Sequence, residues 1–311
     1  MDTTKICKAE VVSKFHDVEE SWDDESKRLV QTFPKEKSFW CPSIVLRAVV
    51  SSQKHFQACD SDIIVSTFPK CGTTWLKALT FSSLYRNQFA WDENSLLTFS
   101  PHQLVRFLEY DFYLNNPFLD LQNVCVYQPR LLSTHLPYAS LPTSIKYSNY
   151  ESLEPFSLDE AFDKFYHGIY AYGPFFDHVL GYWKASQENP NKILFLKYED
   201  LKEDINSHLK NLAMFLGVPF TDDEEKQGVV EEIAKICSFE NLKEVEVNKK
   251  GVHISGIAHT GFFRKGKVGD WSNYLTPFMV ERLEKLTQEK MDSLGLTFNL
   301  SSKTSKDITS V

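Results

Sequence analysis

The stretch Phe68-Pro-Lys-Cys-Gly-Thr-Thr-Trp75 has the residue types needed to hold a phosphate-like anion. It sits between a β-branched run and a helical pattern. The first N–H groups of a helix have no internal acceptor, and the helix dipole favours negative charge there. Gly72 lets the backbone curl around an anion, Thr73 and Thr74 add hydroxyls, and Lys70 adds a point charge. A Walker A loop would place lysine directly after its second glycine. Here Thr73 follows Gly72 and the lysine precedes it by two, which argues against an NTPase or kinase. Two further places stand out. His135 ends a short apolar run and precedes Pro137, so it falls at a strand end, where open α/β sheets build their sites. A histidine there suits general-base chemistry. Arg264, Lys265 and Gly266, with Lys267 beside them, place forked and point cations in a glycine-containing loop.

Alternating strand and helix patterns must position these groups. Asp62–Thr67 reads as a buried strand, followed by a helix from Thr74 to about Asn87. Ser100-Pro101 reads as the start of a helix to about Tyr110, and Leu131–Thr134 as a second short strand. Ser157-Leu-Asp-Glu160 is a capping box opening a long helix towards Ser186, with a kink at Gly173-Pro174. Lys192–Lys197 reads as a clear strand, with a helix from Tyr198 to Leu216 stopped by Gly217. An acidic helix begins near Asp222, residues 248–273 form a long loop, and Thr276-Pro277 caps a last helix ending at Gly295. The pattern predicts an α/β fold: a parallel sheet flanked by helices. With no repeat and no linker, residues 1–311 are expected to form one domain. A polar N-terminal arm over 1–30 and a flexible tail over 301–311 complete it.

Composition narrows the function classes. The chain has 34 basic and 42 acidic residues, a net charge of −8, which argues against bulk nucleic-acid binding. No apolar stretch is long enough to cross a bilayer, and the N-terminal residues carry no apolar signal segment. The six cysteines lack Cys-x-x-Cys spacing, so they read as reduced thiols of a cytoplasmic protein, and no residue cluster has metal-ligand spacing. With 24 Phe, 13 Tyr and 6 Trp, the chain is rich in aromatic side chains. Phe107, Tyr110, Phe112 and Tyr113 form a cluster that suits either an apolar acceptor pocket or the core.

The loop Pro69–Trp75 closely resembles the 5′-phosphosulfate loop of the cytosolic sulfotransferases. Three more segments resemble that family in the same order. They are Leu131-Leu-Ser-Thr-His-Leu-Pro137, Leu196-Lys-Tyr-Glu-Asp-Leu201 and Gly261-Phe-Phe-Arg-Lys-Gly-Lys-Val-Gly-Asp-Trp271. Together they cover residues 60 to 295. The wording from Ser133 to Pro142 looks most like the plant branch, which includes flavonol sulfotransferases. The resemblance implies a P-loop-like sulfotransferase fold. It also implies transfer of a sulfuryl group from 3′-phosphoadenosine 5′-phosphosulfate (PAPS) to a hydroxyl of a small aromatic or polycyclic acceptor, without metal. His135 would be the general base and Lys70 would stabilise the leaving group. Lys70, Cys71, Gly72, Thr73, Thr74, Trp75, Tyr198, Arg264, Lys265 and Gly266 would bind the donor.

The chain departs from that family in two places. Family members continue from the histidine segment into a strand ending in Arg-Asn-Pro-Lys-Asp, followed by a helix with a serine. That arginine and serine hold the donor's 3′-phosphate. Here Tyr147–Pro155 leads directly to the Ser157 capping box, and no arginine occurs between Arg130 and Arg264. A sheet short of one strand, and half a 3′-phosphate site, are the expected results, and an inactive binding protein is the alternative function. In the family's dimer segment, Lys-x-x-x-Thr-Val-x-x-x-Glu, the lysine and valine are replaced by Ser272 and Pro277, which leaves a homodimer open.

Overall fold

The computed structural model describes residues 39, 43–59, 61–88, 93–121, 129–141, 157–291 and 294–298. The N-terminal arm, the tail and the stretch after Leu141 lie outside the described residues. Three parallel strands form the sheet: β1 (Ile63–Ser66), β2 (Arg106–Phe107) and β3 (Leu131–Thr134), in the order β1-β3-β2. Ile63 faces Leu131 and Ser66 faces Thr134, so β1 and β3 end level with each other. Strand β3 is buried along its whole length, as its apolar run requires. Level strand ends place the next residues, Thr67 and His135, side by side.

Two helices fix this sheet. Helix α1 (Ser43–His55) packs over the wide helical turn Leu108–Phe112 that follows β2. Helix α2 (Thr73–Tyr85) lies against β1 through Leu76, Phe81 and Tyr85. The other side of α2 meets an all-helical layer. Ala78 and Leu79 pack with Leu201, Leu209, Leu212, Val230, Ile233, Ile236 and Leu242. Those residues lie on α6 (Tyr198–Glu203), α7 (Ile205–Phe215), α9 (Val229–Ile236) and α10 (Phe239–Glu244). These follow α3 (Pro101–Leu104), α4 (Leu158–Tyr166) and α5 (Phe175–Glu188), with α8 (Asp222–Lys226) between α7 and α9. Helices α11 (Glu246–Lys249) and α12 (Pro277–Met291) complete the described set.

Several predicted elements differ. The helix expected to Tyr110 stops at Leu104, because Val105 turns to an extended conformation that admits β2. The single helix expected over 157–186 is two, α4 and α5. Gly168, at φ +77, and the positive φ of Tyr172 reverse the chain between them, and the Gly173-Pro174 peptide is cis. The helix expected over 198–216 breaks at Asp204, which caps α7 by accepting from the Ser207 N–H. The strand expected over Lys192–Lys197 is not formed. Residues 193–197 have no regular secondary structure and pair with no strand among the described residues. Their side chains are half-buried: Leu194 and Leu196 against the α2–α9 cluster, Phe195 against Trp183 of α5. A β-branched and aromatic run makes a strand only where a neighbour supplies the ladder, and among the described residues β1 is hydrogen-bonded only to β3.

The start of the sheet is pinned by a buried ion pair. Arg130 donates to both carboxylate oxygens of Asp62 and to the Gln57 carbonyl, and the two side chains are 2% and 3% exposed. Removing one partner strands the other charge in the interior, which costs roughly 3–5 kcal/mol. Arg130→Met is therefore expected to lower the unfolding free energy by about that amount, as chemical denaturation would report. A change within experimental error would remove the pair from its role in aligning β1 with β3.

Candidate active site

Residues from many parts of the chain, between Ser66 and Phe298, meet in one cleft of about 1530 Å³. Its floor is the turn after β1, Thr67–Trp75. Gly72 caps α2 with φ +91, and no side chain caps this helix. Lys70 also has a positive φ, +66, a conformation seldom adopted outside glycine. The two left-handed residues fold the turn into a concavity at the N-terminus of a thirteen-residue helix, which is the geometry of an anion cradle. The Tyr198 ring fills the space beneath it. A Cβ on Gly72 would lie 2.8 Å from Tyr198 Cδ2. Trp75 packs edge-on to Tyr198 at 5.5 Å, and its indole nitrogen is buried with no hydrogen-bond partner among the described residues.

His135 is held from three directions. Its Nδ1–H donates to the Thr67 carbonyl at 2.7 Å. Its backbone N–H donates to Glu109 Oε1 at 2.7 Å. Its carbonyl accepts from His178 Nε2 at 3.0 Å. With Nδ1 committed, the lone pair sits on Nε2. The ring lies between Phe107, at 4.7 Å, and Tyr172, at 5.3 Å, on the cleft wall. Burial, with Lys77, His178 and His253 nearby, pushes its pKa down to about 3, so the imidazole is neutral over the physiological range. Burial pushes the Glu109 carboxyl up to about 7 against the pull of the His135 N–H.

The sequence-predicted residues are largely brought together. Lys70, Cys71, Gly72, Thr73, Thr74, Trp75, His135, Tyr198, Arg264, Lys265 and Gly266 all line the cleft. Their free capacities differ. Lys70 Nζ donates to the Gly261 carbonyl at 3.0 Å, which ties the turn to the 248–273 loop. Burial and the nearby Arg264 hold its pKa below the usual lysine range. Lys265 is committed elsewhere: it donates to Asp270 Oδ1 at 2.9 Å and to the Tyr274 hydroxyl at 2.8 Å. The Asp270 side chain is 5% exposed and draws this counter-charge. Arg264 stays exposed at the mouth, 3.6 Å from the same carboxylate. Gly266, at φ +63, lets the loop press on Phe239, whose ring would be 2.7 Å from a Cβ there.

The aromatic cluster divides. Phe107 and Tyr110 line the cleft, whereas Phe112 and Tyr113 belong to the core around Leu108 and Leu132. Sequence reasoning missed Lys77, His102, Glu109, Tyr172, His253 and Phe262, which surround His135 and the turn. Only the Ser100 capping box, which sets His102 in the first turn of α3, offered a signal for any of them.

Comparison with known proteins follows the same residues. The sulfotransferase domain family matches residues 60–151 and 146–295. The chain is a member of the sulfotransferase family. Cytosolic sulfotransferase 15 of Arabidopsis thaliana is 42% identical over 333 aligned positions, covering 93% of this chain and 92% of that protein. Flavonol 4′-sulfotransferase of Flaveria chlorifolia is 42% identical over 293 positions, covering 85% and 90%. Among solved structures, a mouse sulfotransferase complexed with PAP matches with a TM-score of 0.58 and 25% identity, covering 85% of this chain and 95% of that one. These sulfotransferase relatives lend no support to the alternative of an inactive binding protein. No helix among the described residues is long and apolar enough to cross a membrane, and no group of His, Cys, Asp or Glu among them is arranged to hold a metal ion.

The cradle generates a direct expectation. Gly72→Ala adds backbone strain at φ +91 and pushes the Tyr198 ring aside. It should cost roughly 1–3 kcal/mol of stability and change the near-ultraviolet circular dichroism of the Trp75–Tyr198 pair. An unchanged melting temperature and spectrum would show that Tyr198 does not support the turn.

Proposed function

We propose that this sulfotransferase moves a sulfuryl group from PAPS to a hydroxyl of a small aromatic or polycyclic acceptor, with His135 as the base. One observation carries the reading: a neutral imidazole, its Nδ1 fixed by Thr67, presents Nε2 to the cleft beside a phosphate-type turn. The acceptor O–H loses its proton to Nε2 as its oxygen bonds to sulfur, and the sulfur–oxygen bond to the phosphate breaks. Charge then grows on the leaving phosphate. The turn's N–H groups and Lys70 stand where that charge develops. Catalysis by position and electrostatics needs no covalent intermediate, as in phosphoryl transfer.

The residues present fit the donor. An uncapped helix N-terminus, two threonine hydroxyls and a lysine suit the 5′-phosphosulfate. Trp75, with its unpartnered buried N–H, and Tyr198 suit the adenosine. Arg264 and Gly266 suit the 3′-phosphate, with Lys265 giving indirect support by neutralising Asp270. On the acceptor side Phe107, Tyr110, Tyr172 and Phe262 give aromatic walls around His135, which favour a flat phenolic or polycyclic alcohol.

A segment of the family's sheet is absent from this chain in our reading. The alignment with the Arabidopsis relative runs over 333 positions, more than the 311 residues here, so the relative carries residues this chain lacks. The family match falls in two parts that meet at residues 146–151. The run at 193–197, which joins no ladder among the described residues, and β1, paired among them only with β3, fit a strand removed from between them.

Purified protein incubated with PAPS and a panel of phenols and sterols should yield sulfated product. His135→Ala should abolish turnover while calorimetric affinity for PAP, the desulfated donor, stays within a fewfold. Full activity in that variant would assign the base elsewhere. The low pKa of His135 also sets a sign. Its neutral form persists as pH falls through 6.5 towards about 3, so kcat/KM should show no loss centred near 6.5 from this group. The unfolded chain takes up a proton in that interval that the native one refuses, so stability should fall there as pH falls.

A second expectation concerns the absent segment. Inserting a family strand with its Arg-Asn-Pro-Lys-Asp motif after Lys146 should raise both the melting temperature and the PAP affinity. Two restored charge-assisted bonds, at roughly 1.5–3 kcal/mol each, correspond to orders of magnitude in affinity. PAP binding by the unmodified chain as tight as by the grafted one would show that other residues hold the 3′-phosphate.

A further inference from the structure

Behind the phosphate turn lies a buried polar chain that neither the resemblance nor the reaction assigns. His102 is 3% exposed and sits in the first turn of α3. Its Nε2 is 2.9 Å from Thr74 Oγ1, and its Nδ1 is 3.2 Å from Lys77 Nζ. Lys77 is fully buried on α2, one turn after Thr74, with Nζ 3.2 Å from the centre of the Phe107 ring. Burial holds its pKa well below the usual lysine range, while the charges of Asp111 and Glu109 favour the ammonium form. Over the face of an aromatic ring that form is the favoured one, and an ammonium can only donate. It therefore donates to Nδ1, and His102 must carry its own proton on Nε2. That N–H then donates to one of the two lone pairs of Thr74 Oγ1, which leaves the Thr74 hydroxyl proton free to be given to another acceptor.

We propose that His102 is a positioning residue of the phosphate turn: it fixes the Thr74 hydroxyl as a donor aimed at the phosphosulfate of the bound donor. The inference rests on the PAPS reading above. Without His102, the Thr74 hydroxyl would be free to rotate, and its proton could turn inward to another acceptor instead of to the anion. Burial and the cations and histidines around His102 hold its pKa well below the ordinary value, in keeping with a neutral ring in one tautomer. The His102 ring packs on Phe262, with ring centres 4.1 Å apart, and stacks on Phe107 at 5.6 Å. The same imidazole thus touches the loop that closes the cleft and the turn that grips the donor.

A double-mutant cycle tests this. KM for PAPS, kcat and PAP affinity would be measured for the wild type, Thr74→Val, His102→Leu and the double variant, with melting temperatures as a fold control. Each single change is expected to raise KM for PAPS and weaken PAP binding roughly tenfold, the loss of one hydrogen bond to an anion. The double variant should be no worse than either single one, because both remove the same bond. His102→Gln keeps an N–H near the Nε2 position and should restore most of the affinity, and it decides the matter if His102→Leu does not fold. Additive losses, or a folded His102→Gln as weak as His102→Leu, would overturn the role of His102 while leaving the PAPS reading intact. A Thr74→Val variant with unaltered PAPS kinetics would also overturn the role of His102, whereas a wild type that neither turns over PAPS nor binds PAP would overturn the PAPS reading.

Discussion

The hydrogen bond from His135 Nδ1 to the Thr67 carbonyl, 2.7 Å long, is the contact on which the site depends. It exists because β1 and β3 are parallel and end in register, so the residue after each strand meets the other. It fixes the tautomer of the base. It also joins the base to the anion turn, since Thr67 Oγ1 lies 2.7 Å from Thr73 Oγ1 at the start of α2. A one-residue slip between the strands would send His135 to the opposite face of the sheet and separate proton acceptor from phosphate cradle. The Arg130–Asp62 pair at the other end of the same two strands guards against that slip.

Much of this was legible in the residues. The turn, β1 and β3, the N-caps at Ser100 and Ser157 and the aromatic character of the cleft follow from local rules that operate within ten or so residues, although the Glu160 half of the expected capping box is not formed. The positions of His135 and Tyr198 at element ends were legible too. The partners of the turn were not. Lys77 reads as an ordinary polar position on an amphipathic helix, and its burial is decided by α3 and β2 packing over it. His253 lies in a loop without periodicity and reaches the cleft only because its hydrogen bonds with Ile257 and Ser255 fold that loop back. Lys265 read as a donor-binding cation, and the buried Asp270 five residues later captured it. In each case a long-range contact outweighs the local pattern.

The charge arrangement explains how an acidic chain can hold a polyanion. The net charge of −8 lies largely on solvated helix surfaces, such as the first turn of α8 with Asp222, Asp223, Glu224 and Glu225. Near the turn two carboxylates are offset: Glu109 is buried under His135, and Asp270 is neutralised by Lys265. Glu199 and Glu240 stand on the wall beside Tyr198, and the positive groups that face the cavity are the N-terminus of α2, Lys70 and Arg264. Local field, set within a Debye length of about 10 Å, therefore decides ligand charge here, and net charge bears on solubility.

The segment 193–197 shows how far strand propensity reaches. Ile193-Leu-Phe-Leu196 has the composition of a buried parallel strand, but it takes no regular secondary structure and joins no ladder among the described residues. Its side chains find their own burial against α2, α5 and α7. The sheet and the helical layer are then joined mainly through α2, which contacts β1 on one side and α7 and α9 on the other. That dependence bears on the site, because the first turn of α2 is the anion cradle. The element that bridges the two layers of the fold is the one that must present its N-terminus to the donor. The cleft runs from that N-terminus along Leu194, Phe195 and Val179 to Met291, an apolar extension beyond the polar turn. A cavity of about 1530 Å³ exceeds the roughly 300–1,000 Å³ of a single small-molecule pocket. It has the volume for two substrates.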